Sequence, residues 1–285
     1  MVKVKNVFDI INVLSYGFFD DKYTLRNNGY DGADKLSLKQ FIVMGIIFVA
    51  IIIISILLRK IKKEKVFTIY KVLAIIMPLL EIAKISFETY FDLKNGQPFN
   101  TGGILPFYTC SMLMYFLPFV AWGKGRMSRY SMAFFSTIGM VAGLSNFVYL
   151  SAAGWYPLFT FGCMHSITYH SVIVFVGISL LITGIYTPSF KSIYEGMIPI
   201  LIFGLLVIPI NFIIKIYTAD TWVDYMLLMD ANGFVPKLTD FFKNNHIQLL
   251  FSFLMLFIIY PIGTALITLI DMGIAGIVKL FKRVL

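Results

Sequence analysis

Charge is scarce in this chain. Asp, Glu, Lys and Arg make up 14% of its 285 residues, where a soluble domain carries about 25%. Hydrophobic residues fill 59%, against roughly 45–50% in soluble domains. Cysteine is scarcer still. Cys110 and Cys163 both lie in apolar stretches, which excludes an external disulfide framework. No P-loop, GxSxG or HExxH motif is present, and no clear internal repeat of the kind transporters carry. No cleavable signal peptide is visible: Lys3 and Lys5 precede an apolar stretch, but Asp9 interrupts it. The first true span is therefore expected to act as its own insertion signal.

What is present is long apolar runs. With a mean hydropathy of +0.83, the composition predicts an all-α, polytopic transmembrane bundle of about seven spans in a cell membrane. Residues 1–38 form an N-terminal tail, 39–270 a single bundle and 271–285 a basic amphipathic tail. In the first tail, Val7, Ile10, Ile11, Leu14 and Phe18 repeat at helical spacing. Residues 4–19 are read either as a helix on the membrane surface or as a loosely ordered segment.

The spans are expected near Gln40–Leu58, Val66–Phe91, Gly103–Trp122, Ser131–Leu150, Leu158–Thr183, Gly196–Tyr217 and Ile247–Ile270. The net charge of +9 reflects basic residues crowded into short loops rather than a nucleic-acid surface. Loops 59–65, 123–130 and 185–195 with the tail 271–285 hold twelve Lys and Arg, and loops 92–102, 151–157 and 218–246 hold three. This bias puts the N-terminus outside and the C-terminus inside. The six basic residues of 1–39 count against it, partly offset by five Asp. The longest connection, 218–246, includes the apolar stretch 221–229, which is too short to span, and an interfacial helix or lid fits it.

Polar residues inside apolar spans are costly and mark functional surfaces or internal pairs. Glu81, Lys84 and Glu88 follow at i+3 and i+4 and share one helix face. They form either a structural ladder or part of a site. Gly139 and Gly143 stand in GxxxG spacing, with Asn146 on the same face. His165 and His170 are five residues apart and cannot share a face. His170 falls on a small polar stripe with Cys163, Ser166 and Gly177, the expected bundle interior; His165 falls with Phe161, Tyr169 and Val172. By depth, Glu81, Cys110, Asn146, His165, His170 and Asn211 converge on one slab in the outer half, which predicts a polar cavity there. Cys with His suggests nucleophilic chemistry, although Cys is also commonly buried for packing alone. Cys163 and His165 point to different sides of their helix, so no metal site is expected. No cofactor is expected either.

Leu105-Pro106-Phe107-Tyr108-Thr109-Cys110-Ser111 resembles the LP-x-H-x-C-S core of the YwaF-type bacterial integral membrane proteins. Tyr169-His170-Ser171-Val172-Ile173-Val174 resembles their H-G-x-x-V motif, and Asn211 with Asp224-Tyr225-Met226-Leu227-Leu228 resembles their Asn…Asn-Tyr-x-x-Leu region. That family is similar to animal multi-pass proteins that move acyl chains onto ether lysophospholipids. The resemblance implies a lipid acyltransferase or lipid hydrolase with Cys110 as acyl-accepting nucleophile and His170 as base. It also implies membrane lipids as partners and a phospholipid or lysophospholipid as substrate. Two positions depart from the pattern. Tyr108 stands where the family has His, and Ser37-Leu38-Lys39-Gln40 where it has Ser-x-x-His. If either His is essential, the chain is instead a non-catalytic lipid or small-molecule binder or transporter.

Overall fold

The computed structural model describes residues 16–97, 105–217, 225–227, 250 and 254–284. Most of the expected surface helix over 4–19, the start of the third span at Gly102-Gly103-Ile104 and most of connection 218–246 lie outside the described residues. Among the described residues every regular element is helical. In chain order they are α1 (Lys22–Asn27), α2 (Leu38–Leu58), α3 (Lys63–Lys94), a 3₁₀ turn (Thr109–Ser111) leading into α4 (Met112–Ala121), and α5 (Arg126–Phe134). A π-helical turn (Phe135–Gly139) joins α5 to α6 (Met140–Val148). A 3₁₀ turn (Ser151–Gly154), α7 (Phe161–Ile182) and α8 (Lys191–Tyr217) follow. The last elements are a 3₁₀ turn (Tyr225–Leu227), a π turn (Met255–Ile259) and α9 (Tyr260–Val284).

Five helical stretches are long and apolar enough to cross a membrane: Leu38–Leu58, Lys63–Lys94, Arg126–Gly154, Phe161–Ile182 and Lys191–Ile214. Two shorter apolar helices, Thr109–Ala121 and Phe257–Ile270, lie where the third and seventh spans are expected. The late start of the first has a local cause. Pro106 disfavours helical backbone at the residue before it, and Tyr108 is extended (φ −76°, ψ 162°), so helix begins only at Thr109. Pro106 lies upstream of the first helical turn. At the other end of the chain, α9 continues without a break through the residues expected to form a separate tail.

α7 is the central strut. It packs against α2, α3, α6, the π turn and the 3₁₀ turn that carries Cys110. Glycines allow the closest of these approaches. A Cβ at Gly143 would meet Val174 and the His170 carbonyl, and one at Gly177 would meet the Phe135 carbonyl and Met140. α8 packs on α5 and α9, and α4 on α3 and α5. Outward faces of α2 and α3 carry exposed Ile, Leu and Val, such as Ile46, Val49, Ile53, Leu79 and Ile82, as a lipid-facing surface requires.

Residues 16–37 cap one end of the bundle. Asp21 caps α1, its carboxylate accepting from the Tyr23 and Thr24 amides. The Phe161 amide donates to the Phe18 carbonyl (2.7 Å), the Leu158 amide to Asp34 (2.9 Å), and the Tyr30 hydroxyl to the Ala153 carbonyl (2.5 Å). Lys22 reaches Asp92 near the end of α3 at 2.6 Å. The opposite end carries Arg59, Lys60, Lys62, Lys124, Arg126 and Arg129, with Arg129 Nε 2.9 Å from Glu195.

Candidate functional site

The polar residues of α3 sit on one face because they follow at helical spacing. Glu81 is buried, and its Oε2 lies 3.1 Å from Nε2 of His165 on α7. Among the described residues that nitrogen makes no hydrogen bond, so the two groups are within ion-pair distance but out of line for proton donation. The His165 ring packs on Tyr169 with centroids 5.0 Å apart. The Tyr169 hydroxyl donates to the Met77 carbonyl (3.4 Å) and also approaches Glu81. Pro78 lies inside α3 just before this cluster and removes one rung of its hydrogen-bond ladder. Lys84 Nζ is 3.3 Å from Glu88 Oε2, one turn nearer the capped end.

Cys110 occupies the 3₁₀ turn at the start of the α4 helix and is partly buried. The turn rests on α6 and α7, the helices that carry Asn146 and both histidines. Glu81 and Lys84 lie within electrostatic reach of its sulfur. No hydrogen bond joins Cys110 to His165 or His170 among the described residues. Cys163 belongs elsewhere: it is fully buried among Leu25, Tyr30, Met44 and Leu158 below the N-terminal cap.

His170 Nδ1 is 2.7 Å from the Ser166 carbonyl, one turn back on α7. A carbonyl only accepts, so Nδ1 carries the proton and Nε2 presents a bare lone pair. His170 is thus held in the tautomer that a general base needs. Asn146 Oδ1 is buried on α6 without a partner among the described residues.

Asn211, expected in the polar slab, bonds to a backbone turn. It is fully buried, its Nδ2 donates to the Tyr225 carbonyl (3.1 Å), and its Oδ1 accepts from the Tyr225 amide (3.0 Å). The Tyr260 hydroxyl donates to the next carbonyl, that of Met226 (3.1 Å). Met226 takes a left-handed backbone, φ 59°, strained for a residue with a side chain. The turn so held lays the Tyr225 ring on Tyr108 (5.0 Å) and Phe107 (5.5 Å), beside the Cys110 turn. Asn211 therefore positions Tyr108 through Tyr225.

Gln40 is a residue that spacing alone did not single out as structural. It is fully buried, its Nε2 donates to the Val148 carbonyl (3.1 Å), and its Oε1 accepts from the Leu36 amide (2.9 Å). Ser37 meanwhile accepts from the Gln40 amide (3.1 Å). Ser37 thus caps α2, and the Gln40 side chain fastens the start of α2 to the end of α6. Asp92 was missed as well, although it continues the face of Glu88 one turn on. It binds Lys22 and accepts from the Tyr23 hydroxyl (2.7 Å). Burial, then the Asp92 carboxylate, pushes the Tyr23 phenol well above its ordinary value, so it stays a donor at neutral pH. Tyr156, buried beside Glu88 and Asp92, is pushed up likewise.

Among the described residues no group of three His, Cys, Asp or Glu is placed to hold a metal ion. No curated protein and no solved structure matches the chain. Residues 35–262 match the TMEM164 family. Since that match spans most of the chain, from the start of α2 into α9, the protein belongs to the TMEM164 family of multi-pass membrane proteins.

Proposed function

We propose that the protein modifies membrane lipids by acyl transfer through Cys110. The observation that carries this reading is the fixed tautomer of His170, whose Nδ1 is committed to the Ser166 carbonyl on a helix that touches the Cys110 turn. In the proposed step the Cys110 sulfur attacks the ester carbonyl carbon of a phospholipid. The thiol proton passes to His170 Nε2, a C–S bond forms, the ester C–O bond breaks, and the departing oxygen takes the proton. A lysophospholipid hydroxyl or water then attacks the thioester and regenerates the thiol. Asn146, with its unpartnered acceptor, is suited to a polar headgroup, and Glu81, Lys84, Glu88, Tyr108 and His165 are the proposed supporting residues. Asn211 supports the site from behind.

The reading places the site in the outer half of a seven-span bundle in the cell membrane, with Thr109–Ala121 and Phe257–Ile270 completing the crossing. The outer face is then the capped end, with the N-terminus outside and the C-terminus inside. Reporter fusions after Lys65 and Arg129 are expected to report the cytoplasm and one after Gln97 the exterior. The opposite pattern reverses the orientation.

Tyr108 favours a second reading. It stands where the resemblance has a His and is packed edge-on against Tyr225, a greasy platform suited to holding an acyl chain without turning it over. One experiment separates the two. Purified protein is mixed with phospholipid, and the Cys110 peptide is weighed for an acyl adduct that Cys110→Ser abolishes. Lipid retained with no adduct and no turnover makes the protein a binder.

A further inference from the structure

The charged face of α3 runs beyond the Cys110 site. Asp92, Glu88, Lys84 and Glu81 follow at steps of four, four and three residues, so they line one face. At 1.5 Å per residue the column covers about 16 Å, roughly half the hydrocarbon thickness. At its outer end Asp92 is 2% exposed. Lys22 and Tyr23 hold its Oδ1, while its Oδ2 is buried without a partner among the described residues. Glu88 comes next, within electrostatic reach of Lys22, Asp92, Lys84 and Tyr156. At the inner end Glu81 meets His165 at 3.1 Å and faces Tyr169 on α7 and Cys110 and Tyr115 on the third apolar segment. His165 lies in turn within reach of His170.

Each of these groups costs free energy inside a membrane, and isolated structural pairs do not need to share one face. Two features go beyond pairing. Asp92 Oδ2 is an open acceptor at the mouth of the column. His165 Nε2 is an open nitrogen at its foot, close to Glu81 but out of line with it. Carboxylates and imidazoles at such steps pass protons between membrane faces in pumps and transporters. We propose that Asp92, Glu88, Glu81 and His165 form a proton half-channel from the capped end of the bundle to the Cys110 turn. Lys84 stands between Glu81 and Glu88 and moderates their charge. Each hop, carried by water where two groups are beyond hydrogen-bond reach, protonates one group and deprotonates the one before it, with no net change in any other bond. The protonation of the groups around Cys110 then follows the pH at the capped end and is blind to the pH at the Arg59–Arg129 end. The inference does not depend on the lipid chemistry proposed above.

The full chain in vesicles of one orientation, with the pH of each side stepped separately between about 6 and 8, tests this. The readout is alkylation of Cys110 by a membrane-permeant maleimide, measured by peptide mass spectrometry, with Cys163 as internal control. A step on the capped side is expected to change the Cys110 rate by at least about threefold, and the same step on the other side to leave it unchanged. Glu88→Gln and Glu81→Gln should each remove the sided response and spare Cys163. Equal response to both sides, response to the far side alone, or an intact response in Glu88→Gln overturns the half-channel. If Cys110 does not label, ¹⁵N signals of the imidazoles are read in the same vesicles, and a His165 signal indifferent to capped-side pH is equally fatal. A sided response in a protein that never acquires an acyl adduct would sink only the lipid-transfer reading.

Discussion

Asn211 grips the backbone of Tyr225 from both sides, donating to its carbonyl at 3.1 Å and accepting from its amide at 3.0 Å. The two lie fourteen positions apart in the chain, and the pair fixes a turn with strained backbone at Met226. Asn211→Ala leaves two buried backbone groups without their partner, at about 1–3 kcal/mol each. Thermal unfolding in detergent should show a loss of several degrees. Asn211→Asp keeps the acceptor but not the donor and should fall between. A wild-type melting temperature in Asn211→Ala would mean the turn holds itself.

Helix contacts make a second contrast. Gly177→Ala drives a methyl onto the Phe135 carbonyl and Met140, and backbone cannot easily yield there. Gly45 on α2 has nothing within 4 Å of a Cβ position. Gly177→Ala is therefore expected to destabilise by about 1–3 kcal/mol. Gly45→Ala should be neutral or stabilise by roughly 0.5–1 kcal/mol, because Gly loses more freedom in a helix. Equal melting temperatures for the two variants would show that α7 has room beside the π turn.

Five span positions were legible from apolar runs, because membrane insertion reads local composition. The shared face of Glu81, Lys84 and Glu88 was legible from helical spacing, and Asp92 could have been added by the same rule. Partners were not legible. Glu81 meets His165, eighty-four positions along the chain, and helix spacing says nothing about which neighbouring helix a face meets. The depth estimate for Cys110 assumed a helix from Gly103, whereas Pro106 and the extended Tyr108 delay it to Thr109. Asn211 looked like a cavity group because it is polar in an apolar run. Its partner is a backbone turn, and backbone groups leave no mark in side-chain chemistry. The packing of residues 16–37 escaped for the same reason, resting on amides and carbonyls of Phe18, Ala153, Leu158 and Phe161.

Acid should loosen the cap before the bundle. Burial acts to raise the Asp21 carboxyl, but hydrogen bonds from the Thr24 hydroxyl and from the Thr24 and Tyr23 amides outweigh it and bring it below the ordinary value. A group depressed on folding stabilises the fold above its unfolded value, and that contribution is lost as pH falls through the folded one. The window is thus below about pH 4. Amide exchange at Tyr23 and Thr24 should gain in opening rate there relative to α7. Asp21→Asn, still a good cap, should abolish that pH dependence. Protection indifferent to pH in the wild type would separate the cap from Asp21 ionisation.

The two histidines should fail differently. His170 Nδ1 is tied to the Ser166 carbonyl, leaving Nε2 free to take a proton. His165 stands 3.1 Å from Glu81, so its removal leaves a buried carboxylate short of a partner. His170→Ala should therefore cost reactivity, slowing Cys110 alkylation at uniform neutral pH by about tenfold, with melting little changed. His165→Ala should cost stability, lowering the melting temperature by several degrees, while most of the Cys110 rate survives. Cys110 itself should label faster than Cys163, which is fully buried beneath the cap. Cys110→Ser is nearly isosteric, and should keep the fold and lose lipid turnover. If only His165→Ala slows Cys110, the working base is the imidazole beside Glu81, and the tautomer of His170 is a detail of helix packing. Equal, slow labelling of both cysteines, unaffected by either histidine, would make Cys110 a packing residue and leave the lipid-binding reading standing.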